Sequence, residues 1–248
     1  MLVDAALPVS FFAYPGKASD LVPPGCAVHH LAGPADDAVA TLAALVDALD
    51  APRAAGSVQA AGRPERPTGA LTAETVCAAL GALLPEGAIV SDEGNTSGLF
   101  AAGATAGAPP HDWLCLTGGA IGQGLPVAVG AAVACPGRKV IALQADGSAL
   151  YTVQALWTQA LEKLDVITVL LSNRRYEILF GERAGAGASV GPASRELFSL
   201  GKPDLGWTKI AEGFGVEAAR AETLDQFADL FAAANRRRGP FLIELVVP

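Results

Sequence analysis

The chain has 248 residues, of which 51% are hydrophobic and 17% are charged, and its formal net charge is −8. This composition excludes a disordered tail and a basic nucleic-acid-binding protein, because an acidic surface repels phosphate backbones. The length suits one large domain, or one domain with a fragment of another. The dense basic run at residues 236–238 ends a predicted helix, where cations suit the helix dipole, so we interpret it as structural.

The four cysteines are far apart in the sequence and do not have the spacing of metal ligands. The start of the chain lacks the basic opening of a signal peptide. The longest apolar stretch, residues 121–135, contains Gln123 and Pro126 and is shorter than the roughly 18 residues that a membrane span needs. We therefore expect a soluble, cytoplasmic protein without a membrane partner, whose thiols are reduced and mostly buried.

The first 50 residues predict two short strands, at residues 8–14 and 26–31, and a helix at 34–49 with one apolar side. Two strands and one helix make a poor independent core, so we interpret residues 1–50 as the tail of a domain whose beginning is absent. Residues 51–68 are polar and rich in Pro and Gly, which is typical of a linker. The domain boundary is therefore expected there.

From residue 69 to residue 248, strand-length apolar runs alternate with helix-length periodic segments. This alternation predicts an α/β fold with a doubly wound, mainly parallel sheet that has helices on both faces. The expected strands are residues 88–91, 113–116, 139–143, 166–171, 216–220 and 241–247. The expected helices are residues 72–84, 124–134, 152–163, 206–214 and 224–236, and Thr72 is the expected N-cap of the first.

Polar side chains follow two consecutive predicted strands. Asp146, Gly147 and Ser148 come after one strand, and Asn173 closes the next. The carboxyl ends of parallel strands meet at one sheet edge, so the Asp146 and Asn173 oxygens should converge and suit a hard cation such as Mg²⁺. Gly147 and Ser148 open a helix whose N–H groups attract a diphosphate. The alternative, an ordinary Asp-Gly turn with Asp as a helix cap, stays open on the Asp146–Gly147 pair alone.

These residues resemble the signature of the thiamine diphosphate (ThDP) enzymes of the acetolactate synthase, benzoylformate decarboxylase and pyruvate decarboxylase group. The signature is Gly-Asp-Gly-Ser, a helix, and Asn-Asn. The chain departs from it at Ala145 and Ser172. The resemblance implies that Asp146, Asn173 and the main-chain carbonyl of Arg175 hold the metal. It also implies that three residues help to fix the diphosphate: Gly147, Ser148 and Tyr176.

Residues 117–126 form a glycine-rich segment that is similar to the family's loop beneath the bent cofactor. The resemblance implies that Ile121 is the apolar wedge between the two cofactor rings. It also implies that the carbonyl of Gly119 accepts a hydrogen bond from the exocyclic amine of the pyrimidine. The alternative is a glycine-rich turn into a tightly packed helix, which is common in α/β folds.

Residues 92–97 resemble the family's second diphosphate-contacting loop, in which Asn95 and Thr96 are the candidate ligands. The same residue types also serve as helix N-caps, so that alternative stays open. His111 lies in a loop, where a histidine is more often solvated than catalytic. His29 and His30 are interpreted as structural.

The resemblance covers nearly the whole chain, with residues 8–17 similar to the end of the family's middle domain. It implies that residues 69–248 are the diphosphate-binding domain of an acetolactate synthase-like carboligase or 2-oxo acid decarboxylase. The family's pyrimidine-binding domain carries the catalytic glutamate, for which this sequence has no candidate. We therefore expect half a site, inactive alone, in a homodimer. The alternatives are a non-catalytic assembly fragment with a vestigial site and one subunit of a split enzyme.

Overall fold

The structure is a computed structural model that describes residues 1–10, 13–52 and 54–248. Its contacts divide the chain into two compact units. One unit comprises Met1–Val58 and Ala184–Ala188, and the other comprises Gln59–Arg183 and Ser189–Pro248. The division near residue 58 falls within the segment for which a linker was expected.

The first unit contains little regular structure. Strand β1 (Leu2–Val3) pairs in parallel with β2 (His30–Ala32), and helix α1 (Ala38–Ala48) follows. The side chain of Asp37 caps α1 by accepting a hydrogen bond from the N–H of Ala40 at 2.9 Å. A carboxylate at this position satisfies one of the N–H groups that the first helical turn leaves without a partner.

The strand predicted at residues 8–14 is wrong for the described part of that range. Val9 forms one isolated bridge with Asp20, and its side chain is 66% exposed, so it has no apolar surface to pack against. Residues 11 and 12 of this prediction lie outside the described residues. The strand predicted at 26–31 is displaced to His30–Ala32, because residues 26–30 are exposed and only Ala32 reaches an interior.

The second unit is an α/β structure with sixteen described α-helices and strands. They are α2 (Ala73–Leu83), β3 (Ile89–Glu93), α3 (Asn95–Gly98), α4 (Ala101–Thr105), β4 (Asp112–Leu114), α5 (Gly124–Ala134), β5 (Val140–Ala145), α6 (Asp146–Thr152), α7 (Ala155–Leu161), β6 (Val166–Ser172), α8 (Glu177–Gly185), α9 (Pro192–Leu197), α10 (Trp207–Gly213), β7 (Glu217–Ala221), α11 (Leu224–Arg236) and β8 (Phe241–Val246).

Six parallel strands form the sheet in the order β4-β3-β5-β6-β8-β7. The chain runs from β3 outward to β4 and then returns to place β5 on the other side of β3. The connections therefore reverse direction between β3 and β5. Such a reversal opens a crevice at the carboxyl ends of the two strands, which is where open α/β sheets bind their ligands.

The sheet is buried on both faces, as expected for parallel strands. On one face, α2, α4 and α11 pack through a cluster that includes Leu80, Phe227 and Phe231. On the other face, α5, α7 and α10 pack through a cluster that includes Leu125 and Trp207. Burying each large apolar side chain contributes about 1.5–3 kcal/mol, so this double layer holds the strand ends in place.

Local sequence explains where the helices begin. Thr72 and Thr75 form a reciprocal capping box at the start of α2. Thr223 caps α11 by accepting a hydrogen bond from the N–H of Gln226 at 3.2 Å. The helix predicted at 152–163 is shorter in the structure, where α7 spans Ala155–Leu161 and is separated from α6, which ends at Thr152, by a turn at Val153 and Gln154.

The cysteines are free, but the expectation that they are mostly buried is wrong. Cys77 is buried and Cys135 is partly exposed, whereas Cys26 and Cys115 are exposed. Burial raises the pKa of the Cys77 thiol to about 12. Within the described ranges, no helix combines the length and the apolar composition that a membrane span requires.

The basic run at the end of α11 makes structural contacts. Arg237 pairs with Glu217 at 2.9 Å, and its guanidinium lies over the ring of Phe241, 4.1 Å from the centroid. Arg238 donates a hydrogen bond to the carbonyl of Pro136 at 3.0 Å. These contacts agree with the structural interpretation of this cluster.

Candidate functional site

A cleft lies at the carboxyl ends of β3, β5 and β6, beside the point where the strand connections reverse. It is formed by the segments that follow these three strands together with one residue of the glycine-rich loop before α5. The residues that line it are Asn95, Thr96, Ile121, Ala145, Asp146, Gly147, Ser148, Asn173, Arg175, Tyr176, Glu177 and Ile178.

The cleft therefore brings together nine of the ten residues that the sequence singled out. The exception is Gly119, which lies in the 3₁₀ turn Thr117–Gly119 before Ile121 and is not a lining residue. Its carbonyl accepts a hydrogen bond from the N–H of Ile121 at 3.0 Å. A carbonyl oxygen has a second lone pair, so this bond is compatible with the role expected for Gly119.

Asp146 is held by three hydrogen bonds at the floor of the site. Its side chain is buried, and Oδ2 accepts hydrogen bonds from the N–H of Arg174 at 2.7 Å and from Ser172 Oγ at 3.1 Å. Oδ1 accepts from the N–H of Gly147 at 2.8 Å. Burial raises the pKa of this carboxyl, and the bonds from Arg174, Ser172 and Gly147 oppose that rise. The carboxylate is thus held in one orientation at a site that favours a nearby cation.

The turn after β6 places Asn173 and Arg175 next to Asp146. Asn173 Oδ1 accepts a hydrogen bond from the N–H of Arg175 at 3.1 Å, and Arg174 between them has a left-handed backbone with φ of 60°. The N–H of Leu200 donates to the carbonyl of Arg174 at 2.7 Å. Arg174 also pairs with Asp204 at 2.8 Å, so a later segment of the chain holds this turn.

Ser148 connects two of the strand ends. Its hydroxyl lies 3.1 Å from Asn95 Nδ2 and 3.1 Å from Gln144 Nε2, and both amides can donate to it. Asn95 has a left-handed φ of 47°, which places its side chain over the start of α6. The two segments that the sequence predicted as separate diphosphate contacts are therefore joined by a direct side-chain bond.

Gly147 and Tyr176 are in close contact. A Cβ atom on Gly147 would lie 2.6 Å from Cε1 of Tyr176, a separation that real side chains do not reach. Glycine is therefore required for the tyrosine ring to rest on the start of α6. Burial, with smaller contributions from Tyr151 and Asp146, raises the pKa of Tyr176.

Several residues near the cleft were missed by the sequence reasoning. Glu177 and Ile178 line it, and Glu93 and Gln144 are buried beside it. The one available signal was a charged residue, Glu93, at the end of an apolar strand. His111 is not a lining residue; its Nδ1 lies 2.8 Å from the carbonyl of Pro109.

No cluster of three or more His, Cys, Asp or Glu side chains suited to a metal ion occurs among the described residues. The set expected from the sequence has a different composition, because it combines the single carboxylate of Asp146 with the amide oxygen of Asn173 and the main-chain oxygen of Arg175. The candidate metal ligands are therefore these three oxygens and not a cluster of acidic side chains.

Comparison with known proteins gives a consistent result. Residues 92–245 match the family model described as thiamine pyrophosphate enzyme, C-terminal TPP binding domain. The chain is 54% identical, over its whole length, to a Mycobacterium tuberculosis protein that carries the name of an acetolactate synthase large subunit, IlvX, and covers 48% of that protein. It is 34% identical, over 71% of its length, to benzoylformate decarboxylase of Pseudomonas aeruginosa, of which it covers 32%.

Among solved structures, the ThDP-dependent 4-hydroxybenzoylformate decarboxylase of Rhodococcus jostii superposes with a TM-score of 0.76 at 24% identity. The alignment covers 97% of this chain and 48% of that one. At this identity the likeness shows the fold alone. The chain spans about half or less of the length of these relatives.

Proposed function

The chain belongs to the thiamine pyrophosphate enzyme family and contains its C-terminal cofactor-binding domain, and from that premise we propose a function for the cleft. The cleft binds ThDP through Mg²⁺ as part of an acetolactate synthase-like carboligase or a 2-oxo acid decarboxylase. The observation that carries this proposal is the convergence of Asp146, Asn173, Ser148 and Asn95 at the strand reversal.

The residues present fit a magnesium ion. Asp146, Asn173 and the carbonyl of Arg175 offer only oxygen atoms, which are the ligands that Mg²⁺ prefers. Magnesium usually takes few protein ligands and completes its shell with water and phosphate oxygens, so one carboxylate is sufficient. The Asp146 carboxylate supports this role, because it is buried and held in one orientation by three hydrogen bonds.

The residues also fit a diphosphate. Ser148 and Asn95 provide a hydroxyl and an amide, and Tyr176, whose ring packs against Gly147, adds a ring and a phenol. Neutral donors can bind phosphate oxygens without a net charge of their own. The absence of a methyl group on Gly147 brings Tyr176 close to the start of α6.

Ile121 is the candidate for contact with the cofactor rings. Its side chain lines the cleft and is 37% exposed, so an apolar surface is available to a ligand. The glycines on either side, Gly119 and Gly122, have φ of 65° and 97°, which lets the loop turn sharply at this side chain. When bound, ThDP supplies the electron sink for decarboxylation, and this chain anchors and bends it.

We further propose that the 248 residues do not turn over a 2-oxo acid by themselves. The family's catalytic glutamate belongs to the pyrimidine-binding domain, and the cleft contains no residue that we assign to this role. The complete site would require that domain.

The departures at Ala145 and Ser172 motivated the alternative of a vestigial site, but their geometry favours a working one. Ala145 has an ordinary extended backbone, with φ of −86° and ψ of 148°, so its methyl group causes no strain. Ser172 donates to Asp146 Oδ2 at 3.1 Å and thereby orients the proposed metal ligand.

The test is ThDP-dependent stabilisation of the chain in the presence of Mg²⁺. A ligand that binds only the folded state raises the free energy of unfolding by RT ln(1 + [L]/Kd), about 2.7 kcal/mol at a hundred times Kd. We expect this gain for the wild type and its loss in Asp146→Ala. An exposed carboxylate outside the cleft, Asp229, provides the matched control Asp229→Ala. Equal stabilisation of all three proteins would contradict the proposed site.

A further inference from the structure

Glu93 is a buried carboxylate for which the proposed cofactor contacts give no role. It ends β3, is 1% exposed, and lies behind the cleft without lining it. A buried charge is costly unless it is fully hydrogen-bonded, so its partners indicate what it does for the structure.

Those partners are three consecutive backbone amides directly after Ile121. Glu93 Oε1 accepts from the N–H groups of Gly122 at 2.5 Å and Gln123 at 3.2 Å, and Oε2 accepts from that of Gly124 at 2.8 Å. These amides lead into α5, which has Gln123 as its N-cap and begins at Gly124, where a helix leaves N–H groups without internal partners and has the positive end of its dipole.

The residue that would usually cap α5 is engaged elsewhere. The side chain of Gln123 accepts from the N–H of Thr117 and donates to the carbonyl of Cys115, both at 3.2 Å. Glu93 therefore caps the helix from the neighbouring strand. Because Glu93 binds the backbone amides immediately after Ile121, it also fixes the position of the Ile121 side chain.

A chain of hydrogen bonds connects the Glu93 carboxylate to Ser148, which belongs to the proposed phosphate side of the cleft. Gln144 Nε2 donates to Glu93 Oε2 at 2.8 Å and lies 3.1 Å from Ser148 Oγ. Ser148 has further partners in Asn95 Nδ2, at 3.1 Å, and the carbonyl of Ala145, at 3.2 Å. The phosphate side therefore keeps bonds that do not involve the Glu93 carboxylate. Glu93 binds three amides of the loop after Ile121, and this loop is also held by bonds from Thr152 Oγ1 to the carbonyl of Gly122 and from Ser91 Oγ to that of Gly124, both at 2.8 Å.

We propose that Glu93 is a positioning residue that holds Ile121 against the cofactor rings by binding the amides of Gly122, Gln123 and Gly124. The inference rests on the proposed function, because it assumes that a ThDP ring system lies beside Ile121. It also predicts that loss of the Glu93 contacts weakens binding of the cofactor rings more than binding of the diphosphate.

Two variants disrupt the hydrogen bonds between Glu93 and these amides by different means, and we call them the anchor variants. In Glu93→Gln, one carboxylate oxygen becomes an NH₂ group, and in either orientation this donor faces a backbone N–H. In Gly124→Ala, the added Cβ would lie 2.6 Å from the Cβ of Glu93 and 2.7 Å from both Glu93 Oε2 and Gln144 Oε1, which displaces the carboxylate and its amide partner without changing any charge. Glu244→Gln is the matched control, because Glu244 is equally buried, pairs with Arg220 and does not line the cleft.

The experiment is calorimetric titration of the full chain with ThDP and, separately, with inorganic pyrophosphate, both with Mg²⁺. Since pyrophosphate lacks the rings, we expect both anchor variants to weaken ThDP binding about tenfold or more and pyrophosphate binding less than about twofold. The control should bind both ligands as the wild type does. Equal weakening for both ligands would indicate a purely structural role, and unchanged ThDP binding in the anchor variants would also overturn the inference.

Amide hydrogen exchange of the ligand-free chain separates this inference from the proposed function. We expect the amides of Gly122, Gln123 and Gly124 to be protected in the wild type and to exchange faster in Glu93→Gln, with other sheet amides unchanged. If the wild type binds no ThDP, or binds it no better than pyrophosphate, the proposed ring contact fails. The hydrogen-exchange data then test by themselves whether Glu93 holds this loop. Unchanged protection of the three amides in Glu93→Gln would refute that role.

Discussion

At the residue scale, the cleft depends on close approaches that only a few side chains allow. Asp146 is fixed by three hydrogen bonds, and Tyr176 rests where any side chain on Gly147 would collide with it. The residue types at these positions were predictable from the motif. The contact between Gly147 and Tyr176 was not, because it depends on how two separate strand ends meet.

Gly147→Ala tests this contact. The added methyl group would force Tyr176 away from the start of α6, so we expect ThDP affinity to fall about tenfold, or ~1.4 kcal/mol. The control is Gly103→Ala in α4, where an added Cβ meets no described atom within 4 Å. This control should retain the affinity and gain up to about 1 kcal/mol of stability. Equal affinities in both variants, measured by calorimetry, would contradict the packing described for Tyr176.

Cys77 gives a pH dependence at the same scale. Its pKa is raised from 9.0 to about 12, so the folded state favours the neutral thiol and loses stability as the pH rises through this interval. We expect the free energy of unfolding of the wild type to fall relative to that of Cys77→Ala above pH 9. Urea unfolding at several pH values between about 8 and 11 measures the difference. A constant difference would show that the thiol is not buried as described.

At the element scale, pattern and capping explain most of the second unit. Helices α5 and α11 have the bounds that their apolar residues predicted. Two errors, in the predicted ends of β3 and β5, share a physical cause. Strands β3 and β5 extend past their apolar runs through buried polar residues, Glu93 and Gln144, which hydropathy assigns to loops. The break between α6 and α7 occurs at Val153 and Gln154, without the glycine or proline that signals a helix end.

Helix capping makes a quantitative prediction. Thr72 accepts from the N–H of Thr75 at 3.2 Å, and Thr223 does the same for Gln226 at 3.2 Å. We expect Thr72→Ala and Thr223→Ala each to lower the free energy of unfolding by about 1 kcal/mol. Thr68→Ala, at an exposed position outside the helices, should change it by less than about 0.5 kcal/mol. Equal effects at all three positions in urea unfolding would argue against the caps.

At the whole-molecule scale, the described surface has large apolar side chains that suit contact with another copy. Tyr151, Trp157 and Leu161 on α6 and α7 are each more than half exposed, as is Val133 on α5. Exposed apolar patches of this kind mark interaction surfaces, and closed dimers are the commonest way to cover them. From the sequence, a homodimer is expected because missing domains would leave apolar surface to be covered, but which side chains are exposed could be known only from the fold.

Sedimentation velocity tests the dimer. We expect a dimer at micromolar concentration and a shift toward monomer in Trp157→Lys, because a charge would be placed in the covered surface. Val39→Lys on α1, where the native side chain is 79% exposed in the first unit, is the control and should leave the distribution unchanged. A monomeric wild type would remove this prediction.

The central claim is that the cleft binds ThDP through a metal held by Asp146 and Asn173. Calorimetric titration of the full chain with ThDP, once with Mg²⁺ and once with EDTA, tests it most directly. We predict saturable binding with Mg²⁺ that is lost in EDTA and in Asp146→Ala. Binding of equal affinity with and without the metal, or no binding in either condition, would contradict the claim.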